Sequence, residues 1–306
     1  MYPDYQAWAT SGRLRSDGSD RTGRSRRGRG DITTRRLCCR VEYMGTHYVG
    51  FQRQSGKASV QGTMEMAVEA VTGERVTIAG SGRTDAGAHA LGQIVAFNTS
   101  SALADGVMLR ALNAHLPRDI AVTSVWEAAP DFHPRHDAQR RHYRYLIWNR
   151  QVRSPFWEGR AAHIPYALDV QLMDSAARAL EGTHHFDSFV PARLSGLAVR
   201  TLYRARCKRE GFLISIDLQA SGFMRQMVRA IVGTLVAVGA RQLAESDIRD
   251  ILASRRRARG GVTAPARGLY LVEVDYQSQR PSSGTETQGG TDMQPWLIDW
   301  AVKESK

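Results

Sequence analysis

The sequence predicts an α+β fold in which helices flank a mostly antiparallel central sheet. Segments with an apolar side chain at every second position alternate along the chain with segments of helical period. Glu210-Gly211 separates two adjacent strand segments and signals a hairpin. Strands that come in pairs between helices, rather than in strict alternation with them, favour antiparallel pairing.

The elements of the first half follow from their periodicity. A strand is predicted over residues 37–43, where apolar side chains share one face. A helix follows over residues 64–71, and Gly73 suits its C terminus. The remaining predicted elements are a strand at 93–97, a helix at 106–115 that Pro117 ends, and strands at 120–126 and 140–148.

The second half has a similar series of elements. The predicted elements are a helix at 170–180, hairpin strands at 201–208 and 212–218, helices at 223–238 and 246–253, and a last strand at 269–276. Composition then divides the chain into four parts. They are a disordered basic arm (1–36), an N-terminal half (37–155), a C-terminal half (156–276) and a polar tail (277–306).

The chain is strongly basic, with a formal net charge of +12 over 306 residues. Residues 1–36 carry +5 and residues 277–306 carry −1, so the region between them carries +8. A basic folded region points to an anionic partner, and charge alone does not separate nucleic acid from an acidic membrane. No apolar run reaches the roughly 18 residues of a membrane span. Three cysteines without paired spacing, and no secretory signal, favour reduced thiols in the cytoplasm.

A glycine-rich segment, residues 80–90, places Asp85 between two apolar runs. Glycines permit positive φ and close approach of a ligand, so Asp85 is expected to stand exposed at a strand end. Gly82 and Gly87 have the spacing of a P-loop, but Ala88 and His89 replace its Lys and Ser/Thr, which excludes a P-loop. On residue types alone, a plain turn in which Asp85 bonds its own backbone is an equal alternative.

The segment Gly82–Ala90, followed by Gly92-Gln93, closely resembles the catalytic loop of the tRNA pseudouridine synthase A family. Further matches occur in the order of the family and cover residues 37–276. Only Ser81 and Ala88 depart from the usual residues within the loop. The other matching segments are Tyr43-x-Gly45-x-x-Tyr48-x-Gly50-Phe51-Gln52-Arg53-Gln54, Ser59-Val60-Gln61, Asn113-x-x-Leu116-Pro117-x-Asp119-Ile120, Phe132-His133-x-Arg135, Arg141-x-Tyr143-Arg144-Tyr145, Phe223-x-x-x-Met227-Val228-Arg229 and Ala264-Pro265-Ala266-x-Gly268-Leu269-Tyr270-Leu271.

The resemblance implies a pseudouridine synthase fold, with two similar halves side by side and the active cleft between them. It implies isomerisation of uridine to pseudouridine at uridines 38 to 40 of the tRNA anticodon stem–loop. It also implies a homodimer that binds tRNA, without a membrane and without a cofactor. An isomerisation needs no redox partner, which agrees with a sequence that carries no nucleotide or metal motif.

The resemblance also assigns roles at the site. Asp85 is the implied nucleophile, at C6 of the uracil or C1′ of the ribose, and Arg229 is the implied partner that keeps it ionised and aimed. Arg229 lies in an otherwise apolar helix, so its charge needs a carboxylate or an opening to solvent. Tyr143 is the implied platform for the target base, although two aromatic residues on one strand face are more often core. Leu269 is expected to line the pocket.

Several other arginines are candidate RNA contacts. Arg83 shares a face with Asp85, so it either pairs with that carboxylate or reaches a phosphate. Solvated side chains are an equal alternative for the basic runs. The candidates for backbone contacts in the folded region are Arg53, Arg141, Arg144, Arg255, Arg256 and Arg257, and those in the arm are Arg24, Arg26, Arg27 and Arg29.

Two other function classes compete with this interpretation. His133 and His136 lie near acidic residues, but without cysteine or helical spacing they do not predict a metal site. A different base-modifying enzyme would need such a site or a cofactor motif. A non-catalytic protein that binds structured RNA is the main alternative, and Asp85 argues against it, because a carboxylate among phosphates weakens binding.

Overall fold

The computed structural model describes residues 34–194, 196 and 198–276. The predicted polar tail, and the arm up to residue 33, lie outside these residues. The predicted bound of the arm at residue 36 needs a correction, because Arg35 and Arg36 belong to the first strand. Arg35 donates to the carbonyls of Ser101 and Leu103, and these bonds fix the start of the strand.

The described residues contain ten strands and five α-helices, joined by loops and short 3-10 turns. The strands are β1 (Arg35–Tyr43), β2 (Ala79–Gly80), β3 (His89–Thr99), β4 (Ile120–Ala128), β5 (Ala138–Trp148), β6 (Ala162–His163), β7 (Gly182–His185), β8 (Val199–Glu210), β9 (Leu213–Ala220) and β10 (Leu269–Tyr276). The helices are α1 (Val60–Thr72), α2 (Asp105–His115), α3 (Val170–Arg178), α4 (Met227–Gly239) and α5 (Asp247–Ser254).

All ten strands form one sheet, in the order β4-β1-β3-β10-β5-β9-β8-β7, with β2 beside β3 and β6 beside β5. Every pairing is antiparallel except β10 with β3 and β5 with β6. This confirms the predicted α+β class with a mostly antiparallel sheet. The last strand, β10, lies at the centre of the sheet, so it joins the strands of the first part of the chain to β5, β8 and β9.

The helices cover one face of this sheet and share a single core with it. Apolar side chains from all five helices pack with the inward side chains of the strands. Tyr143 and Tyr145 of β5 belong to this core. A smaller cluster around Trp148 and Trp157 lies on the other side of the strands. Tyr143 therefore faces the helices.

Local signals explain where the helices begin and end. The Ser59 hydroxyl accepts from the N–H of Gly62 at the start of α1, and Gly73 ends the helix at a φ of 75°. The Asp169 carboxylate caps α3 in the same way. No helix within the described residues is long and apolar enough to cross a membrane.

Some predicted bounds are wrong. The helix predicted from residue 223 begins at Met227, because Gln226 adopts a left-handed conformation with a φ of 62°. Residues 221–226 form a separate segment, the α4 entry loop. The strand predicted at 93–97 extends over His89–Thr99. Strands β2, β6 and β7 were not predicted, because two to four residues are too few to show a period.

Candidate active site

Asp85 lies in the Asp85 loop, residues 81–88, which joins β2 to β3. A buried polar network holds the start of this loop. The Ser81 N–H donates to Ile94 O at 2.8 Å, and the Ser81 hydroxyl donates to Gln93 Oε1 at 2.5 Å. The Gln93 amide then donates to Gly82 O at 2.7 Å. Gln93 is fully buried, so these bonds are shielded from water and fix the loop firmly.

The middle of the Asp85 loop rests on the segment before α1. The Phe51 N–H donates to Thr84 O at 3.2 Å, and the Thr84 hydroxyl lies 2.8 Å from the Tyr43 hydroxyl. Gly50 has a φ of 107°, and a Cβ there would come within 2.6 Å of Thr84 O. Glycine at position 50 therefore allows the two backbones to touch.

His89 closes the far end of the loop. Its Nδ1 accepts from the Gly45 N–H at 3.0 Å, so its Nε2 carries the proton and donates to Arg267 O, also at 3.0 Å. The ring is fully buried and lies 4.6 Å from that of Tyr270. Burial lowers the pKa of His89, which keeps the imidazole neutral.

This arrangement predicts acid sensitivity. The pKa of His89 in the folded chain lies below the value of 6.5 for a free side chain. At a pH between these two pKa values, the unfolded chain therefore binds more protons than the folded chain. The contribution of His89 to the free energy of unfolding is complete above about pH 6.5 and is lost as the pH falls through the folded pKa. His89→Asn retains an acceptor for the Gly45 N–H but does not titrate. In this variant the free energy of unfolding should therefore fall less steeply at acidic pH.

Urea unfolding from pH 5 to 8 measures this effect. His115→Gln is the matched control, because His115 is an exposed histidine at the end of α2. The control should keep the wild-type slope of unfolding free energy against pH. An unchanged slope in His89→Asn would refute the assignment.

Arg229 pairs with Asp85 across 144 residues of sequence. Its Nη1 donates to Asp85 Oδ2 at 2.8 Å, and its Nε donates to Ala264 O at 2.6 Å. The Ala264 N–H in turn donates to Arg229 O at 3.0 Å. The two charged side chains are only 17% and 22% exposed. The guanidinium is thus held by a backbone carbonyl in an orientation that aims it at the carboxylate.

Tyr143 lies beside this pair. A Cβ on Gly82 of the Asp85 loop would be 3.4 Å from the Tyr143 hydroxyl. The Tyr143 ring packs edge-on against Phe223 of the α4 entry loop, with centroids 5.2 Å apart. The residue is 6% exposed. Burial raises the pKa of Tyr143 to about 12, with a smaller contribution from Asp85, so the hydroxyl is protonated at neutral pH.

The other predicted substrate contacts lie in different environments. Arg83 is exposed and makes no ion pair with Asp85 or with any other described residue. Leu269 is buried at the start of β10, opposite Tyr145, whereas Leu271 is the residue opposite Tyr143. Arg83 is therefore free to reach a phosphate, whereas Leu269 belongs to the core next to the site.

The six candidate backbone contacts divide into two groups. Arg255 and Arg256 are exposed, and Arg53 is 61% exposed although it pairs with Glu65 at 2.9 Å. The remaining three bind protein acceptors: Arg257 binds Gly261 O and the Thr263 hydroxyl, Arg144 binds Asp217, and Arg141 binds four carbonyls. We therefore assign Arg141, Arg144 and Arg257 structural contacts.

Several residues that build the site lie in the segments that resemble the family, but the sequence assigned them no role. Gln93 and Tyr43 hold the Asp85 loop, Phe223 contacts Tyr143, and Ala264 orients Arg229. Apart from these segments, only Gln93 had a physical signal of its role, since a polar residue between apolar strand neighbours predicts a buried hydrogen bond. A backbone carbonyl such as that of Ala264 leaves none.

A groove in the surface lies away from this site. A groove of about 820 Å³ lies along α3 and β8, with Asp174, Cys207 and Lys208 among its lining residues. It contains neither Asp85 nor Arg229. Within the described residues, no group of three or more His, Cys, Asp or Glu side chains is arranged to hold a metal ion. The candidate site is thus identified by its chemistry and not by this groove.

Comparison with known proteins gives consistent matches. A family model described as tRNA pseudouridine synthase matches residues 40–137 and 176–277. The tRNA pseudouridine synthase A of Geobacillus kaustophilus is 43% identical over 248 residues, covering 80% of this chain and 96% of that protein. The corresponding enzyme of Shouchella clausii is 43% identical over 262 residues, covering 84% and 99%. That of Acetivibrio thermocellus is 42% identical over 237 residues, covering 77% and 97%.

Among solved structures, an unknown protein from Galdieria sulphuraria aligns with 69% of this chain and 94% of its own length. Its sequence identity is 12% and its TM-score is 0.21, so it contributes nothing to the assignment. The family match, in contrast, includes the Asp85 loop, Tyr43, Arg229 and Ala264. Both residues of the ion pair and the Asp85 loop are therefore within the matched ranges, whereas Tyr143 lies between the two ranges.

Proposed function

The chain belongs to the tRNA pseudouridine synthase family, and we propose that it isomerises uridines 38 to 40 of the tRNA anticodon stem–loop with Asp85 as nucleophile. The observation that carries the proposal is the Asp85–Arg229 pair at 2.8 Å, in which the carboxylate lies on the Asp85 loop and the guanidinium projects from the first turn of α4. A protein that only binds RNA gains nothing from a partly buried carboxylate at a basic surface. The ion pair supports chemistry rather than binding alone.

The reaction exchanges one bond to the base for another. The C1′–N1 glycosidic bond breaks and a C1′–C5 bond forms, while the proton at C5 leaves and N1 regains a proton. Asp85 attacks C6 of the uracil or C1′ of the ribose, and the bond that its oxygen forms is broken again before the product leaves, which regenerates the carboxylate. A carboxylate is a weak nucleophile in water and becomes effective when it is positioned and partly desolvated. With 22% of its side chain exposed, Asp85 meets this requirement.

Tyr143 is the proposed contact for the uracil ring. Its pKa of about 12 makes the hydroxyl a hydrogen-bond donor at neutral pH and a poor base for the C5 proton. Because the residue is 6% exposed, a uracil reaches its ring only after the α4 entry loop moves Phe223 aside. This fits an enzyme that must take its target base out of the stack.

The proposed RNA surface consists of the arginines that project to solvent. Arg83 lies two residues from the nucleophile, and Arg255 and Arg256 follow α5. A homodimer and a cytoplasmic location accompany the family assignment as further proposals. The buried free thiols of Cys38, Cys39 and Cys207 agree with a reducing compartment.

The direct test uses the full chain and an unmodified tRNA transcript with uridines at positions 38 to 40. Pseudouridine is then mapped by reverse-transcription stops after carbodiimide treatment. We expect stops at one or more of these three positions. Stops elsewhere would retain the activity and refute the assigned positions, whereas tRNA binding without any pseudouridine would favour the non-catalytic alternative.

The basic arm is expected to add affinity and not catalysis. Each phosphate contact changes the slope of log K against log salt by about 0.7 to 0.9. Deleting residues 1–33 removes Arg24, Arg26, Arg27 and Arg29 but spares β1. The slope should fall by roughly two to four units, with kcat at saturating tRNA unchanged.

A salt titration of tRNA binding compares this deletion with the full chain. Deletion of residues 277–306 is the control, because that segment carries a net charge of only −1 and should leave the slope as it is. Superimposable lines for all three proteins would show that the arm does not touch RNA. A collapsed kcat would show that the arm belongs to the active fold.

A further inference from the structure

One guanidinium connects the Asp85 loop to the α4 entry loop, which leads into the helix that carries Arg229. Arg141 lies in β5, between Val274 of β10 and Ala220 of β9. Its Nη2 donates to Ser81 O at 3.2 Å, at the start of the Asp85 loop. Its Nη1 donates to Ser221 O at 3.1 Å, at the start of the α4 entry loop.

The same group is also tied to the turn before its own strand and to the first residue of that strand. Arg141 Nη2 donates to Arg135 O at 2.7 Å, and Nη1 donates to Ala138 O at 3.4 Å. All four acceptors are backbone carbonyls, so the contacts fix the main chain rather than other side chains. The planar fork of an arginine can serve several acceptors in fixed directions, whereas a lysine ammonium cannot reproduce that geometry.

The position of these contacts relates them to the site. Asp85 follows Ser81 by four residues, and Arg229 follows Ser221 by eight. Tyr143, two residues after Arg141, shares its strand face and lies between the two loops. Arg141 thus joins the loop that carries Asp85 to the loop that leads to Arg229, and it does so beside Tyr143, the proposed contact for the base.

We propose that Arg141 is a positioning residue that sets the separation of Asp85 and Arg229, and not a phosphate contact. Its kinetic test rests on the proposed function, whereas its structural test does not. Arg144 provides the matched control in the same strand. It donates to Asp217 Oδ1 at 2.8 Å, an oxygen that His142 also contacts at 2.6 Å. Arg144 is three residues from Arg141, so its side chain leaves the strand on the opposite face.

The kinetic experiment compares Arg141→Ala, Arg141→Lys and Arg144→Ala with the wild type on tRNA. A misplacement of about 1 Å costs on the order of 100-fold in rate, so Arg141→Ala should lose roughly 10- to 100-fold in kcat. Its KM should stay within about twofold, since no phosphate contact is removed. Arg141→Lys should recover little, and millimolar guanidinium ion should restore part of the activity of Arg141→Ala. Arg144→Ala should keep its kcat.

A raised KM with an unchanged kcat, together with a flatter salt dependence, would instead mark Arg141 as a phosphate contact and overturn the proposal. A loss of kcat equal in both alanine variants would also overturn it, because that would reflect general damage to the sheet. Arg141→Lys keeps the charge and most of the side chain, so it supplies the comparison if Arg141→Ala does not fold.

A crystal structure of Arg141→Ala, or of Arg141→Lys if the alanine variant does not fold, tests the positioning role without a measurement of activity. We expect the distance from Arg229 Nη1 to Asp85 Oδ2 to exceed hydrogen-bonding range, against 2.8 Å with Arg141 in place. An unmoved pair would refute the positioning role. If the wild type makes no pseudouridine, the proposed function fails, and this structural comparison still decides the role of Arg141.

Discussion

Asp85→Asn is expected to abolish pseudouridine formation while tRNA binding and the fold remain intact. The amide has nearly the same volume as the carboxylate and keeps an oxygen for the Arg229 hydrogen bond, but it is not a nucleophile. Loss of a catalytic nucleophile costs about 10³-fold or more in kcat. Because the amide oxygen keeps the Arg229 hydrogen bond, the free energy of unfolding should fall by only about 1 kcal/mol, the difference between a charged and a neutral hydrogen bond.

Single-turnover rates with excess enzyme, and filter binding of tRNA, separate catalysis from affinity. Asp131→Asn is the control, because Asp131 is an exposed loop carboxylate outside the site. It should retain the wild-type rate. Product formation by Asp85→Asn at even a tenth of that rate would rule out Asp85 as the nucleophile.

Arg229→Ala is the second change with a large expected effect. It removes the charge that faces Asp85 and leaves both the carboxylate and the Ala264 carbonyl without their donor. Removing one preorganised donor from an active site costs about 10²- to 10³-fold in kcat, and we expect a loss of at least about 100-fold. An unsatisfied polar group costs about 1–3 kcal/mol when fully buried, so the loss of stability should lie at the low end of that range.

Two further variants make this test specific. Arg229→Lys keeps the charge but lacks the planar guanidinium that donates to Ala264 O and to Asp85 at the same time. Its rate should therefore lie between those of the alanine variant and the wild type. Arg225→Ala removes an exposed arginine from the α4 entry loop and should retain full kcat. A fully active Arg229→Ala enzyme would show that the ion pair has no part in catalysis.

The sequence determined the elements that depend on short-range order. Alternating apolar residues predicted β1, and Gly73 marked the end of α1, where the structure shows a left-handed residue. The ordered motifs singled out Asp85 and Arg229, which the structure places 2.8 Å apart. The prediction of β1 depends on a local period, and that of Gly73 on the φ of one residue. The prediction of Asp85 and Arg229 depends on the order of the motifs, which is visible in one chain.

Only the tertiary structure decided which charges are available and how the site is held. Arg141 and Arg83 are equally basic in sequence, yet Arg141 is bound by four carbonyls and Arg83 projects to solvent. The sequence likewise misplaced the start of α4, which lies at Met227, and did not predict the central position of β10 in the sheet. Each of these outcomes depends on main-chain acceptors or neighbours far away in sequence. A backbone carbonyl is the same in every residue, so the pattern of side chains carries no record of which one an arginine will bind.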